Sequence, residues 1–195
     1  MEVRSFPIPN GQSLTTPKDL GSFPHDCVGN IGVCDNGFTV GFWYKALAGD
    51  PDLPEKYIIS SGGQSSMSEG FYVVQHYGKD YEVGVAKGNK LWSVRLFVHE
   101  DALVYFVLTW SEQGLDVYVD GILAGADAKG ETRVFTSPAY DPFPEIVVGY
   151  ANDRPYAGKS INEHIVNVTH WSVYYHQEEV EHLQGKLLFF LPFNI

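Results

Sequence analysis

Four of the seven histidines recur every six residues near the end of the chain, at positions 164, 170, 176 and 182. Histidine is a common zinc ligand, so this spacing raises the question of a metal site. However, the first two fall in a segment with strand periodicity, the last two lie around a predicted helix, and neither HxxxH nor HExxH occurs. The spacing therefore does not bring the four side chains together. His170, between Thr169 and Trp171, is predicted to be a hydrogen-bonded histidine of the core or sheet.

Two further catalytic motifs are incomplete. Residues 157–160 read AGKS, like the end of a phosphate-binding loop, but the earlier glycine position holds Asp153 and no strand-to-helix pattern surrounds the motif. Ser65 and Ser66 lie in GGQSSMSEG, which lacks the GxSxG pattern of a nucleophile elbow. The sequence therefore favours neither phosphate binding nor serine hydrolysis.

Glycosidases need two carboxyl groups a few ångströms apart, which a strand supplies when acids stand at i and i+2 or i+4. Asp116 and Asp120 have this spacing, but Asp120 begins an Asp-Gly dipeptide, a strong hairpin-turn signal with its own structural reason. Glu178 and Glu181 share a helical face that is predicted to be solvated. No strand carries a convincing catalytic pair, so no catalytic residue is predicted.

Acidic loops offer oxygen ligands for calcium, although none forms an EF-hand pattern and loop acids can equally be just solvated. The candidate calcium ligands are Glu69, Asp141, Asn152 and Asp153. No other cofactor is predicted.

Aromatic side chains divide by context. Trp110 and Trp171 lie in strongly apolar strand-like segments and are predicted to pack in the core. Tyr140, Tyr150 and Tyr156 lie in or beside loops, and they are the candidate partner-binding residues. We expect the partner surface on the loops around 62–70, 136–144 and 150–160, because the two sheet faces of a sandwich are used to form the core.

The only two cysteines, Cys27 and Cys34, are separated by VGNIGV, a short loop that two glycines make easy to close. We predict a disulfide between them; the alternative is a pair of reduced thiols in a cytosolic protein. Asn167 begins the glycosylation sequon Asn-Val-Thr, which matters only in the secretory pathway. Both features favour an extracellular or secreted domain, or the ectodomain of a membrane protein.

Most periodic segments alternate with period two, which indicates strands rather than helices. The predicted strands are FTVGFWYK (38–45), YIIS (57–60), GFYVVQHY (70–77), YEVGVA (81–86), LWSVRLFV (91–98), LVYFVLTW (103–110), LDVYVDG (115–121), EIVVGY (145–150), HIVNVTHWSVYY (164–175) and KLLFFL (186–191). One short helix is predicted over HQEEVEHLQG (176–185), where Val180 and Leu183 recur at helical spacing and Gly185 is a natural stop. Ten short strands separated by turn residues predict an all-β, two-sheet antiparallel sandwich or jelly roll.

Length, charge and apolar runs restrict the number of domains and the classes of partner. The 195 residues, 44% of them apolar, suit a single domain over 1–195. The net charge of -11 disfavours nucleic acid and anionic membrane surfaces as partners. The sequence contains no run of 18 apolar residues, the length that would predict a membrane span. The first residues lack the apolar core of a signal peptide. We expect neither membrane insertion nor a leader within this chain, which is compatible with a domain of a larger multidomain protein.

Three segments together resemble the laminin G-like and pentraxin-like branch of the concanavalin A-like lectin/glucanase superfamily. They are GFTVGFWYK after Cys34, the run from Trp110 through GLDVYVDG (114–121), and VTHWSVYYHQEEVEHL (168–183). In this family a strand ending in Trp leads to a strand of the form LxVYVDG, and a later aromatic strand precedes a short helix carrying Glu-Glu and a hydrophobic residue. The resemblance covers about residues 36 to 185.

The resemblance implies a concanavalin A-like jelly roll. Its members serve in cell adhesion, matrix binding and glycan recognition, often with one calcium ion on the sheet rim, and most are not enzymes. The laminin-type calcium site usually has an aspartate in the early hairpin loop, where this chain has Gly62, Gly63, Gln64 and Glu69. We therefore expect a non-catalytic extracellular module that binds a protein or glycan through rim loops or an exposed sheet face. The alternatives are a carbohydrate-active enzyme on the same fold and a structural spacer domain of a larger ectodomain.

Overall fold

The computed structural model describes residues 3–6, 18–22, 27, 29–45, 55–76, 80–99, 103–136, 145–149, 151 and 164–188. Within them lie thirteen strands, a 3-10 turn at Ile31–Val33 and one helix, α1, at Gln177–Leu188. The strands, numbered in chain order, are β1 Val3–Phe6, β2 Lys18–Ser22, β3 Phe38–Lys45, β4 Lys56–Ser60, β5 Gly70–Gln75, β6 Asp80–Lys87, β7 Lys90–Phe97, β8 Leu103–Ser111, β9 Gly114–Val119, β10 Ile122–Asp127, β11 Glu131–Thr132, β12 Glu145–Val148 and β13 His164–Trp171.

The strands form two sheets, and every paired neighbour is antiparallel. The six-stranded sheet has the order β1-β13-β3-β8-β9-β10, and the seven-stranded sheet has the order β11-β7-β6-β5-β4-β12-β2. The predicted two-sheet jelly-roll sandwich is therefore confirmed.

The main core lies between the sheets and is built from the alternating apolar positions. Phe42, Val117 and Val148 are fully buried there, and the Phe42 ring stacks on Phe106 at 5.4 Å between centroids. Trp110 is fully buried, and Trp171 is 6% exposed, which confirms both predicted packing roles.

Strand β3 is buried on both faces, because a second apolar cluster covers the outer face of the six-stranded sheet. There Val180 of α1 packs against Trp43, Tyr105 and Tyr118. Glu178 and Glu181 face solvent on the same helix, as predicted. Val180 of the helix thus packs on the outer face of this sheet.

The predicted strand at 186–191 is wrong for residues 186–188, which continue α1; residues 189–191 lie outside the described chain. A continuous apolar run has no periodicity that separates a strand from a buried helix, so the local pattern could not decide. The strand predicted over 164–175 ends at Trp171, and residues 172–176 form a connection into α1. His170 is 2% exposed within β13, as expected for a sheet histidine.

The Asp-Gly hairpin between β9 and β10 has the predicted turn conformation. Asp120 has φ 52° and Gly121 has φ 76°, a pair of positive values that this type of two-residue turn requires. The Asp120 carboxylate also accepts the Tyr105 amide at 2.8 Å. Asp120 is therefore a structural residue of the hairpin.

Candidate functional site

One end of the sandwich gathers loops from both sheets, and we call this end the rim. It comprises residues 29–37, 61–69, 88–89, 112–113, 128–136 and 172–176. The register places these loops together, because Phe38 pairs with Trp110 at the start of β3 and Lys87 pairs with Lys90 at the turn between β6 and β7. Lys87 Nζ joins Glu112 Oε1 at 2.8 Å and so links the two sheets across the rim. This exposed pair also lowers the pKa of Glu112, chiefly by the hydrogen bond from Lys87.

The Cys27–Cys34 disulfide closes the loop that precedes β3, with 4.8 Å between the two Cα atoms. Both cysteines are buried, and the Asn30 side chain accepts the Gly32 amide at 3.0 Å inside the closed loop. The predicted pairing is confirmed. The disulfide therefore fixes one loop of the rim directly to the core.

The loop 61–69 between β4 and β5 folds tightly because its glycines adopt positive φ angles. Gly62 and Gly63 have φ 130° and 86°, and a Cβ on Gly62 would lie 2.2 Å from the carbonyl oxygen of Glu69. Within the loop the Gly63 amide donates to Ser68 Oγ at 2.9 Å. Gly62 and Gly63 therefore have a backbone role in this loop.

Arg133 crosses from the segment after β11 and binds this loop. Its guanidinium donates to the carbonyl oxygens of Ser65 and Ser68, each at 2.8 Å, and of Gly63 at 3.2 Å. Beside it, the Thr136 amide donates to Ser66 O at 2.7 Å. The structure thus joins the predicted partner loop 62–70 to the start of the predicted partner loop 136–144.

The calcium site implied by the resemblance does not fit loop 61–69. The carboxylate of Glu69 accepts the Gly88 amide through Oε1 at 2.6 Å, and three of the loop's carbonyl oxygens accept from Arg133. Over the described part of the chain, no three histidine, cysteine or acidic side chains form a metal-binding group. The other three candidate ligands, Asp141, Asn152 and Asp153, lie outside the described residues.

A cleft of about 1270 Å³ opens on the rim beside the six-stranded sheet. Four carboxylates line it: Asp35, Glu112, Asp116 and Glu179. Among the described residues, the lining contains no lysine or arginine. Three rings form its aromatic wall: Tyr174, Tyr175 and His176. Amides and hydroxyls from Asn36, Gln113 and Ser172 complete a lining rich in hydrogen-bonding groups.

Residues 172–176 build the aromatic wall because both tyrosine amides are tied to the sheet end. The Tyr174 amide donates to Asn36 O at 3.0 Å, and the Tyr175 amide donates to Thr109 Oγ1 at 2.9 Å. The Tyr174 ring meets the His176 ring edge to face, with centroids 4.9 Å apart. Backbone hydrogen bonds therefore hold the wall in place beside the cleft.

The Tyr174 hydroxyl donates to Asp116 Oδ2 across the cleft. Burial raises the pKa of Tyr174 above its usual value, and the hydrogen bond to Asp116 raises it further. At the start of α1 the His176 amide donates to Glu179 Oε2 at 2.9 Å, which satisfies one free donor of the helix terminus. Together with Glu112, which is paired with Lys87, three of the four cleft carboxylates are thus already engaged by groups of the protein.

The predicted partner-binding tyrosines Tyr140, Tyr150 and Tyr156 lie outside the described residues. The backbone of Asn167 lies in β13, where the register with β3 shifts between Val166 and Thr169. Its glycosylation stays a prediction.

Sequence reasoning missed the cleft because its four carboxylates come from four different segments. Asp35 precedes β3, Glu112 lies in a turn, Asp116 lies in β9 and Glu179 lies in α1. A search for acids along single strands cannot detect such a set. Arg133 was also missed, and a lone arginine in a loop gives no local signal of the carbonyl groups that it binds.

Comparison with known proteins places the chain in a family. The Laminin_G_3 model of the concanavalin A-like lectin/glucanases superfamily matches residues 20–180. The chain belongs to this superfamily. The predicted resemblance is thereby confirmed. A search of curated proteins found no match to this chain.

Similar solved structures include binding domains of botulinum neurotoxins. The serotype C1 binding domain superposes with a TM-score of 0.65 and 12% identity, over 95% of this chain and 47% of that one. The binding domain of neurotoxin DC, solved in complex with rat synaptotagmin II, gives a TM-score of 0.62 and 13% identity, over 95% and 46%. The same domain in complex with SialylT gives a TM-score of 0.61 and 14% identity, over 95% of this chain and 46% of that one. At these identities the likeness concerns the fold, and the chain spans less than half the length of each of these three structures.

Proposed function

We propose that the chain is a non-catalytic extracellular recognition module that binds a protein or glycan partner through its rim. The observation that carries this proposal is the cleft, where the wall of Tyr174, Tyr175 and His176 faces carboxylates such as Asp116. Aromatic rings and hydrogen-bonding groups on a rigid scaffold are the usual composition of a recognition site. The structural neighbours support the kinds of partner, since one was solved with synaptotagmin and another with SialylT.

The charge of the cleft favours some partners over others. Four carboxylates line it, and one of them, Glu112, is paired with Lys87. Because like charges repel at close range, anionic glycans and acidic peptides should bind poorly. Neutral sugar hydroxyls or a basic protein segment match the carboxylates and rings.

Binding is tested by a glycan array together with a pull-down from matrix extracts, each repeated with variants of the cleft. We expect Tyr174→Ala and Asp116→Asn to lose the captured partner while the melting temperature shows that both stay folded. Phe97→Ser is the matched control, because Phe97 is 81% exposed and ends β7 at the opposite end of the sandwich. Retention of the partner by both cleft variants would place the interface elsewhere.

The undescribed loops are tested in the same assay. Asp141→Ala, Asp153→Ala and Tyr156→Ala should weaken partner capture if those loops share the interface, and Tyr140 and Tyr150 are the next positions to replace. Unchanged capture by all of them would restrict the interface to the described rim.

The extracellular assignment is supported by the disulfide, because such bonds persist in oxidising compartments. Among the described residues no helix is both long and apolar enough to cross a bilayer. Expression through a secretory pathway should yield protein glycosylated at Asn167. A mass decrease on treatment with peptide N-glycosidase, absent in Asn167→Gln, is the expected result.

A carbohydrate-active enzyme is the second candidate, and the gathering of carboxylates in one cleft is the observation that favours it. A glycosidase needs a carboxyl group with a raised pKa as general acid. In this cleft the pKa of Glu112 is lowered, and Asp116 and Glu179 accept hydrogen bonds from the protein. A panel of aryl glycosides tests this candidate: turnover that Asp116→Asn or Glu179→Gln abolishes would establish the enzyme and refute the non-catalytic module.

A further inference from the structure

Four backbone carbonyl oxygens of the rim converge on the guanidinium of Arg133. Three belong to loop 61–69: Ser65 O and Ser68 O at 2.8 Å and Gly63 O at 3.2 Å. The fourth, Gly88 O, lies 3.4 Å from Nε and comes from the turn between β6 and β7. One side chain therefore connects two loops of the seven-stranded sheet that have no ladder hydrogen bond to each other.

Such a cluster of oxygens needs a positive group at its centre. Carbonyl dipoles that point at one another repel, and a calcium ion, which takes six to eight oxygen ligands, is one group that relieves this repulsion. A guanidinium also resolves it, because it is always protonated and offers five donors in a planar fork. Here three different nitrogens of Arg133 are used, Nε, Nη1 and Nη2.

The surroundings of Arg133 hold it in this position. Its guanidinium lies 5.2 Å from the centre of the Phe135 ring, a distance at which a cation is attracted to the ring face. Beyond it, the Thr136 amide and hydroxyl both bond to Ser66 O, at 2.7 and 3.2 Å. The segment 133–136 therefore contacts loop 61–69 at four positions between Gly63 and Ser68.

We propose that Arg133 is the resident cation of loop 61–69 and organises this loop in place of calcium. The shape of this loop is then independent of divalent cations. Arg133 is in this sense a positioning residue, and its relevance to partner binding rests on the proposed function of the rim.

The first test compares amide exchange of the wild-type protein in 5 mM calcium chloride and in EDTA. Two amides report on the loop: Gly63, bonded to Ser68 Oγ, and Thr136, bonded to Ser66 O. We expect their exchange rates to agree within twofold in the two buffers. A calcium-dependent slowing of tenfold or more at these amides would show that the metal organises the loop and would overturn the proposal. Calcium bound elsewhere on the chain would leave these two amides unchanged.

The second test replaces the cation. Arg133→Gln should speed exchange of the Gly63 and Thr136 amides by about tenfold or more, with core amides of β8 unaffected. Arg133→Lys keeps the charge without the fork, so it should give an intermediate acceleration. Arg95→Gln is the matched control, since Arg95 is 68% exposed and bonds to one carboxylate oxygen at 3.4 Å. Protection in Arg133→Gln within twofold of the wild type would overturn the proposal. None of these measurements needs a partner, so their failure is distinct from a failure of the recognition function.

Discussion

Replacing Gly84 by alanine should disrupt the close packing on the outer face of the seven-stranded sheet. Gly84 lies directly opposite Tyr72 in the ladder between β5 and β6, and the tyrosine ring covers it. A Cβ at Gly84 would lie 2.2 Å from Tyr72 Cζ and 2.4 Å from its hydroxyl oxygen, far inside van der Waals contact. The ring of Tyr72, now 6% exposed, must therefore swing away.

The cost follows from what the ring would lose. The Tyr72 hydroxyl donates to Glu82 Oε1 at 2.7 Å, and losing a hydrogen bond to a charged group costs about 1.5 to 3 kcal/mol. Partial exposure of the ring adds about 1 to 2 kcal/mol. We expect a total loss of about 2.5 to 5 kcal/mol in the free energy of unfolding. For a chain of this length that is a drop of roughly 5 to 20 °C in melting temperature.

Urea unfolding of Gly84→Ala, Tyr72→Ala and the double variant measures this effect and its cause. In the Tyr72→Ala background the alanine at 84 meets no ring, so its cost should fall below about 1 kcal/mol. Gly88→Ala is the control, because nothing lies within 4 Å of its Cβ and only its φ of 55° is unfavourable. An equal loss in both backgrounds, or a Gly84→Ala as stable as wild type, would refute the packing argument.

Three further predictions concern the hairpin, an acid-sensitive turn and the disulfide. Gly121→Val should cost about 1 to 2 kcal/mol in thermal unfolding, because a β-branched residue is strained at φ 76°; full stability would contradict the turn assignment. At Asp127 burial raises the pKa of the carboxyl, but the amides of Gly130, Lys129 and Ser93 outweigh this and leave it below its usual value. The stabilisation is therefore complete above the unfolded pKa of about 3.9 and is lost as pH falls through the lower folded pKa. Asp127→Asn should be less stable than wild type at pH 6, and the difference should close below pH 4; a constant difference down to pH 2 would contradict this. Reducing the disulfide should cost about 2 to 3 kcal/mol, and two freely alkylated thiols in unreduced protein would show that the bond is absent in solution.

Much of the sandwich was predictable because its signals are local. Alternation in FTVGFWYK and LDVYVDG marks strands, and the Asp-Gly dipeptide marks the turn after β9. The prediction failed where the alternation of apolar residues was weak. The edge strand β10 carries mostly exposed residues, so its ILAGAD shows little apolar alternation, and the run KLLFFL fits a helix as well as a strand.

The sequence by itself determined the fold class, the disulfide and the family, because periodicity, cysteine spacing and a strand motif are all properties of neighbouring residues. Tertiary structure alone decided where the chemistry lies. The cleft unites Asp35, Glu112, Asp116 and Glu179, which are up to 144 positions apart (179 minus 35). Arg133 meets carbonyl groups 45 to 70 residues away, as the sequence separations of its bonds show. Every residue carries a backbone carbonyl, so the sequence does not show which carbonyls will form a site. Such a site exists only once the fold has brought the loops together at one rim.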